Sequence, residues 1–404
     1  VALPFVLSSY LRPFLRADGQ RLYDNGITGR VEALTPLQDA VVRALWREEA
    51  AEPELAALVQ RHGHGAVRDA LLQLYDRALL FDSHQASDQL FAHLRDARLP
   101  QVPYVDQIEL TNRCPMRCRF CPRGVPGRME RPTGFMDLAL FRALLSQLHP
   151  GQARYRPLEL HHLGESLLHP QVVEFVQAAS DHGLPTEMSV NPSLLTPELG
   201  RRLVAAGLRR IVLSLDGTDD QTLVQIRGPA ARYGKAERHI DALLQVVAAR
   251  GSDAPQVVIQ MIALSANAHQ RADFLQRYGA LGLATVQAYI KPLDGPDPDS
   301  PMAEAEPLRY LCSYPFRSVV VLWDGRVVPC CRDDDARLVL GDLNVQTLAE
   351  IWAGEAASEL RQRHHQGGFP AGHLCAGCAF SPASFIAARA ARHPDAAAPA
   401  PLQW

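Results

Sequence analysis

Between residues 104 and 292 the chain alternates short apolar strands with amphipathic helical stretches six times over, and few architectures accept that pattern. Strand signals fall at 105–110, 158–162, 186–190, 210–215, 257–263 and 285–290, with helical spacing between them at 138–148, 171–182, 197–206, 236–249 and 270–279. Ile211-Val212-Leu213 is continuously apolar, as a parallel strand covered on both faces should be. Thr196 before Pro197 reads as an N-cap with proline at the first helical position, and Gly207 as the stop. Six βα units in succession predict a parallel α/β barrel or a doubly wound sheet. Either one places function at the carboxyl ends of the strands.

The flanking regions have a different texture. Residues 11–34 read as short strands around a turn at Ala17-Asp18-Gly19, with further turn residues at Asn25-Gly26. Three helical stretches follow. The first carries Leu37, Val41, Val42, Leu45 and Trp46 on one face, the second covers 53–61, and the third, over 65–80, carries Val67, Leu71, Leu72, Leu74 and Leu79. A small hairpin with three helices predicts a winged-helix-like module over 1–82, its apolar stripes forming its own core. Residues 83–103 read as a connecting helix and linker ending in Pro100 and Pro103. The barrel takes 104–295, a loop-rich segment takes 296–392, and 393–404 read as a frayed tail.

Charge excludes some partners. Over 404 residues, 41 basic and 44 acidic side chains leave a net charge of −3, which provides no global drive toward nucleic acid or an anionic membrane. Only Lys235 and Lys291 are lysines, so arginine is this chain's default cation and a single Arg says little about phosphate or carboxylate recognition. No apolar run approaches the ~20 residues of a membrane helix. The first residues lack a signal-peptide layout, so a cytoplasmic location is expected.

The eight cysteines are unevenly spread: three lie within 114–121 and five follow residue 311. Such clustering in a long chain points to metal-binding or catalytic thiols rather than disulfides. Directly after the first barrel strand comes Glu109-Leu-Thr-Asn-Arg-Cys114-Pro-Met-Arg-Cys118-Arg-Phe120-Cys121-Pro122. Its C-x3-C-x2-C spacing lets a short loop wrap one face of a [4Fe–4S] cubane and leaves the fourth iron without a protein ligand. A zinc site is the alternative, but it needs a fourth ligand and the loop offers no histidine.

This loop resembles that of the radical SAM superfamily, with Phe120 in the aromatic position. The resemblance implies a partial (β/α)6 barrel and binding of S-adenosylmethionine (SAM) at the open iron. It also implies SAM contacts on successive strand ends. After the second strand, Leu163-Gly164-Glu165-Ser166 stands where the family has Gly-Gly-Glu-Pro; Gly164 and Glu165 match, and the first Gly and the Pro depart. After the third, Ser189 and Asn191 fall where polar groups meet the SAM ribose or carboxylate. After the fourth, Ser214 and Asp216, followed by Arg227, resemble the family's SAM-contacting stretch, with Arg227 as a carboxylate partner. Each has a plainer reading: Ser214-Leu-Asp216-Gly217 as a strand-to-loop turn, Glu165 as a helix-start carboxylate.

Cys312 is followed by Gly325, Cys330 and, much later, Cys375-Ala-Gly-Cys378. This resembles the auxiliary-cluster domains called SPASM and twitch. A full SPASM pattern has further cysteines beyond this pair, and the chain has none after Cys378. Four ligands remain, enough for one closed auxiliary [4Fe–4S] cluster, so the resemblance implies a twitch domain over 296–392 rather than a full SPASM domain; a zinc ribbon is the alternative. Trp323-Asp-Gly325 reads as a hairpin turn between them. Cys331 is left over, either a small buried residue or a thiol hydrogen donor to a substrate radical.

The resemblance thus implies an enzyme, a radical SAM oxidoreductase with two [4Fe–4S] clusters. One electron from the first cluster cleaves SAM to methionine and a 5′-deoxyadenosyl radical, which abstracts a hydrogen from an unactivated C–H bond. The auxiliary cluster then accepts an electron; epimerisation or elimination is the redox-neutral variant. An external one-electron donor such as flavodoxin or ferredoxin is implied. Two substrate classes compete. The N-terminal module resembles the PqqD-like domains that bind leader peptides by strand addition, which implies natural-product biosynthesis on a ribosomally made peptide. The cysteine spacings of the C-terminal segment resemble those of an enzyme that dehydrogenates an aminocyclitol in aminoglycoside biosynthesis, which implies an aminocyclitol or sugar substrate. A redox-sensing DNA-binding protein is the remote alternative. Against it, Arg68 and Arg77 on the third helix are offset by Asp69 and Asp76.

Overall fold

The computed structural model describes residues 6–8, 11–15, 21–25, 30–46, 51–77, 79–81, 99–148, 157–279, 281–293, 312, 314–366, 369–376 and 378. The expected connecting helix before residue 99 and the expected tail at 393–404 lie outside the described residues. The chain divides into two units. The first comprises Val1–Pro100, Pro307–Arg317 and Glu359–Trp404; the second comprises Gln101–Glu306 and Ser318–Ser358.

In the first unit, the expected hairpin is a three-stranded antiparallel sheet. Strand β1 (Val6–Leu7) stands apart from it; β2 (Leu11–Leu15), β3 (Arg21–Asn25) and β4 (Arg30–Ala33) pair in that order, with Leu22 of β3 in register with both Phe14 and Ala33. Helices α1 (Pro36–Trp46), α2 (Ala51–His62) and α3 (His64–Asp76) follow. Leu11, Tyr23, Val41, Val42, Leu74 and Leu79 form one buried core. The third helix stops short of the expected residue 80. Leu79 N–H closes onto the Leu74 carbonyl at 3.0 Å, the six-to-one turn that ends many helices. That turn frees β5 (Leu80–Phe81) to pair antiparallel with β1. Across the unit, Tyr23 Oη donates to Asp39 Oδ1 at 2.6 Å and Arg77 pairs with Glu32.

The second unit is built on β6 (Tyr104–Ile108), α4 (Leu138–Leu145), β7 (Leu158–Glu159), α5 (Val172–Asp181), β8 (Thr186–Val190), α6 (Pro197–Ala205), β9 (Arg210–Ser214), α7 (Asp220–Arg227), α8 (Tyr233–Arg250), β10 (Gln256–Ala263), α9 (Arg271–Tyr278) and β11 (Val286–Pro292). Strands β6 to β11 run parallel, each beside the next in sequence. A doubly wound sheet reverses its strand order at a switch point; this one does not, so the winding is that of an open barrel. Helix α7 was not expected. Asp219 caps it by accepting Thr222 N–H at 2.7 Å and Gly228 ends it, signals present in the sequence.

Three further strands join the same sheet beyond β6. Strand β12 (Ser318–Val321) pairs parallel with β6, and β13 (Arg326–Val328) and β14 (Gly341–Asp342) follow antiparallel. Part of the segment expected to be loop-rich therefore extends the barrel's sheet. The β12–β13 turn is Trp323-Asp324-Gly325, where Gly325 has φ +93°.

Strand alternation separates the two faces of the sheet. Met188, Val190, Ile211, Leu213, Val257, Ile259 and Met261 are buried on one face, each contributing about 1.5–3 kcal/mol through removal from water. The opposite face carries a polar row, in which Gln107, Glu159, Glu187 and Arg210 share one register. Gln107 Nε2 donates to Glu159 at 2.9 Å and Arg210 Nη1 to Glu187 at 2.7 Å.

Candidate functional site

The Cys114–Cys121 loop leaves the end of β6 and is fastened at two places. Arg117 N–H and Arg119 N–H donate to the carbonyls of Arg227 and Ile226 at 2.9 and 3.0 Å, docking the loop on the end of α7. Gly228, with φ +89°, allows this approach, since a Cβ there would stand 3.2 Å from Arg117 Cβ. On the other side Glu165 N–H donates to Arg113 O at 2.8 Å. A Cβ on Gly164, at φ +97°, would lie 2.3 Å from Thr111 O. Gly124 closes the loop, Gly124 N–H meeting Cys121 O at 2.8 Å, and has no room for a Cβ, which would lie 2.1 Å from Cys118 O.

Cys118 is buried, Cys114 and Cys121 are half-buried, and the thiols feel one another's charge. Burial pushes Cys114 up to about 12 and Cys118 up to about 11, and it raises Cys121 as well. Such thiols become thiolates only beside positive charge, which an iron cluster supplies. Backbone N–H groups already point at the sulfurs: Met116 at Cys114, Arg123 and Gly124 at Cys121. Hydrogen bonds of that kind tune iron–sulfur clusters. Among the described residues no three His, Cys, Asp or Glu side chains gather as around a single ion. The donor set, its burial and its N–H cradle fit a cluster.

The expected SAM-contacting residues come together at the ends of β7, β8 and β9, and several also hold the scaffold. Glu165 Oε2 accepts Asn191 N–H at 2.8 Å and Oε1 accepts Leu167 N–H at 3.2 Å, linking the ends of β7 and β8. Burial pushes Glu165 up to about 7, against the lowering pull of those N–H donors and Arg227. A carboxylate oxygen keeps a second lone pair for an incoming donor. Asn191 Oδ1 accepts Ser193 N–H at 2.9 Å. Ser189 Oγ and Ser214 Oγ lie 3.3 Å apart on neighbouring strands. Asp216 is fully buried and takes Arg227 Nε at 2.8 Å on one oxygen and Ile262 N–H at 2.8 Å on the other. Burial disfavours the Arg227 cation, but Asp216 and the nearby Cys118 and Cys114 outweigh that and hold it charged. Phe120 packs with Ile226, Ile262 and Leu264.

The histidine pair divides its contacts. His161 Nδ1 accepts Ser189 N–H at 3.2 Å, and its Nε2 lies 3.5 Å from Glu159. His162 Nδ1 bonds Gln107 Oε1 at 2.8 Å. Its Nε2 is shielded and has no hydrogen-bond partner among the described residues.

Of the C-terminal cysteines, Cys312, Cys375 and Cys378 belong to the first unit and Cys330 and Cys331 to the second. Cys378 N–H donates to Cys375 O at 3.3 Å. Cys375 N–H donates to His373 Nδ1 at 3.1 Å, and the His373 ring stacks on Phe369 with centroids 4.8 Å apart. Cys331 packs against Val320, Leu322 and Val328. Sequence reasoning missed the His373–Phe369 stack, Gly124 and the buried pair Glu109–Arg131, whose partners are distant in the chain.

Residues 108–276 match the Radical SAM superfamily, and residues 312–379 match SPASM, an iron–sulfur cluster-binding domain. The chain carries a radical SAM domain followed by a SPASM domain. Domains of the first kind bind a [4Fe–4S] cluster and SAM, and those of the second bind additional iron–sulfur clusters. The PqqA peptide cyclase of Rhodopseudomonas palustris is 30% identical over 135 residues, 33% of this chain and 34% of that protein. The chain thus aligns with about a third of that relative's length. The S-adenosyl-L-methionine-dependent 2-deoxy-scyllo-inosamine dehydrogenase of Niallia circulans is 22% identical over 275 residues, 67% of this chain and 91% of that protein. Among solved structures, Streptococcus suis SuiB bound to S-adenosylmethionine is 13% identical with a TM-score of 0.49, covering 93% of each chain. No helix among the described residues is long and apolar enough to cross a membrane.

Proposed function

We propose that this chain is a radical SAM oxidoreductase that oxidatively modifies a ribosomally made peptide. The observation that carries the substrate class is the N-terminal unit: a three-stranded antiparallel sheet with three helices around its own core, β2 and β4 as its outer strands. An outer strand is what a leader peptide adds to in strand-addition recognition, the mode of the PqqD-like domains this region resembles. Relatives named as PqqA peptide cyclases support the same reading.

Cys114, Cys118 and Cys121 would hold the first cluster. On their spacing, Cys312, Cys330, Cys375 and Cys378 would hold the auxiliary one. Bound together, the first cluster and SAM supply hydrogen-atom abstraction from an unactivated C–H bond, and the auxiliary cluster supplies a place for the electron left behind. The chain's residues do the positioning. The ends of α7 and β7 fix the cluster loop, and Arg227 sets a buried cation facing Cys118. The Ser189 and Ser214 hydroxyls and the spare lone pairs of Glu165 are the polar groups proposed to orient SAM. An external flavodoxin or ferredoxin would deliver the electron.

Anaerobic reconstitution should load about eight irons per chain, two cubanes on the proposed ligand count. Ala at Cys114, Cys118 and Cys121 should abolish SAM cleavage. Ala at Cys375 and Cys378 should leave cleavage uncoupled from product, and full product formation by that variant would reject the auxiliary role. A short precursor-peptide reading frame beside the gene, whose product loses two hydrogens in the assay, is the expected result. The second reading is an aminocyclitol dehydrogenase, favoured by the alignment over 91% of the Niallia circulans enzyme. It predicts neighbouring sugar aminotransferase genes and an aminocyclitol ketone as product.

A further inference from the structure

A strap of residues 128–136 lies between two cysteine-bearing loops of the second unit. Toward the Cys114 loop, Thr111 Oγ1 donates to Gly134 O at 2.5 Å and Asn112 Nδ2 to Pro132 O at 2.8 Å. Gly134 N–H returns a bond to Asn112 Oδ1 at 3.0 Å, and Met136 N–H one to Leu110 O at 2.8 Å. Toward the Cys330–Cys331 loop, Asp335 Oδ1 accepts the N–H groups of Glu130 and Arg131 at 2.7 and 2.8 Å. Arg128 pairs with Asp334 at 3.0 Å. Trp323 lies against Gly134, where a Cβ would come within 2.2 Å of its ring, and its indole N–H reaches Pro132 O at 3.3 Å.

Arg131 joins the two sides. Its Nε donates to Asp334 O at 2.8 Å, while its Nη1 and Nη2 bond both oxygens of Glu109 at 2.7 and 2.5 Å. Glu109 directly follows the strand β6 that leads into Cys114. Asp333 N–H closes onto Cys330 O at 3.2 Å. Glu109 and Asp333 are fully buried, and Arg131 is 7% exposed. A buried ion pair of this kind is poor evidence for stability, because desolvation offsets its Coulomb gain; what it supplies is a fixed geometry. Only the guanidinium fork can meet a carboxylate with two donors and a carbonyl with a third.

We propose that Arg131 is a positioning residue that holds the Cys330–Cys331 loop in fixed register with the Cys114–Cys121 loop, and so sets the separation of the two redox groups those loops carry. The inference rests on the reading of both loops as cluster-bearing.

The test is hydrogen exchange and pulsed electron paramagnetic resonance on the reconstituted full chain, comparing wild type with Arg131→Gln, Asp335→Ala and Asp335→Asn. Asp335→Ala alters only the Cys330 side of the strap. The reporters are the amides of Arg117, Arg119 and Cys121, bonded to Arg227 O, Ile226 O and Cys118 O on the opposite side. With Asp335→Ala, which removes both hydrogen bonds that Asp335 accepts from the strap, they should exchange at least about tenfold faster, the factor for losing even one charge-assisted hydrogen bond. Iron content should stay at the wild-type value while the spin–spin coupling between the reduced clusters broadens. Asp335→Asn, which keeps an acceptor oxygen, should restore both signals. Exchange changes confined to 128–136 and 331–338, or Asn failing to rescue, would overturn the proposal. Should Arg131→Gln not fold, Arg131→Lys, which keeps the cation and removes the fork, decides the role of the guanidinium by the same two readouts: wild-type exchange and coupling in that variant would overturn the proposal. A wild-type chain that takes up no iron would instead defeat the reading of the loops as cluster-bearing.

Discussion

Arg227 and Asp216 form a buried ion pair, Nε to Oδ2 at 2.8 Å, that sits directly under the Cys114–Cys121 loop's docking point on α7. Asp216 uses its other oxygen on Ile262 N–H, so one carboxylate ties α7 to β10. Asp216→Ala strands a buried guanidinium and a backbone N–H. The expected cost is about 3–5 kcal/mol, the range for breaking one side of a buried pair. Asp216→Asn keeps an acceptor for Ile262 and should lose less. Denaturant unfolding of the two variants checks the order, and Asp216→Ala should also retain less iron because the loop's anchor moves.

Glycines around the loop give a second, graded expectation. Gly124 has an ordinary φ but a Cβ there would lie 2.1 Å from a backbone oxygen, whereas Gly127 has φ +72° with nothing within 4 Å. Gly127→Ala should therefore cost only the left-handed strain, roughly 1 kcal/mol. Gly124→Ala must displace the Cys118 carbonyl and should lower iron uptake. Iron assay after identical reconstitution separates them; equal uptake would contradict the crowding argument.

The barrel was legible because its signals are local: strand and helix periods, the Thr196 cap and the Gly207 stop are each written within a few residues. The Cys114–Cys121 loop was legible because its three thiols lie within eight residues, whereas Cys312, Cys330, Cys375 and Cys378 are far apart and were grouped only by resemblance. Glu109 and Arg131 were not, being 22 residues apart and tied further to Asp334 by contacts no period encodes. The same holds for β12, which pairs with β6 across more than two hundred residues. Glu165 and Asp216 were singled out by resemblance as candidate site residues, yet the hydrogen bonds that make them part of the scaffold depend on neighbouring strands.

His162 makes stability depend on pH. Burial first, with Arg131 and His161 adding to it, pushes this imidazole down to about 3, against an ordinary value near 6.5. Between those values the unfolded chain binds the extra proton, so stability falls as pH drops. The slope is at most about 1.4 kcal/mol per pH unit. His162→Asn retains an N–H donor for Gln107 but removes the titration. Its unfolding midpoint should fall less steeply than that of wild type between about pH 6.5 and 4, and parallel profiles would contradict the assignment.

Neighbouring Cys330 and Cys331 should behave differently when removed. Cys331 is engaged by the apolar cluster of Val320, Leu322 and Val328 that backs the β12–β13 hairpin, with Ala336 packed beside it. A side chain held there contributes packing, and Cys331→Ala should cost about 1 kcal/mol by leaving a small void. Its iron content and its rate of SAM cleavage should match wild type. Cys330 has the register of the SPASM-like ligand pattern, so Cys330→Ala should lose about four irons, one cubane, while keeping the cluster of the 114–121 loop. Iron and sulfide assay with anaerobic SAM-cleavage rates checks both variants together. If Cys331→Ala loses the irons and Cys330→Ala keeps them, the ligand role belongs to Cys331 and the apolar cluster is its second environment rather than its reason for being there.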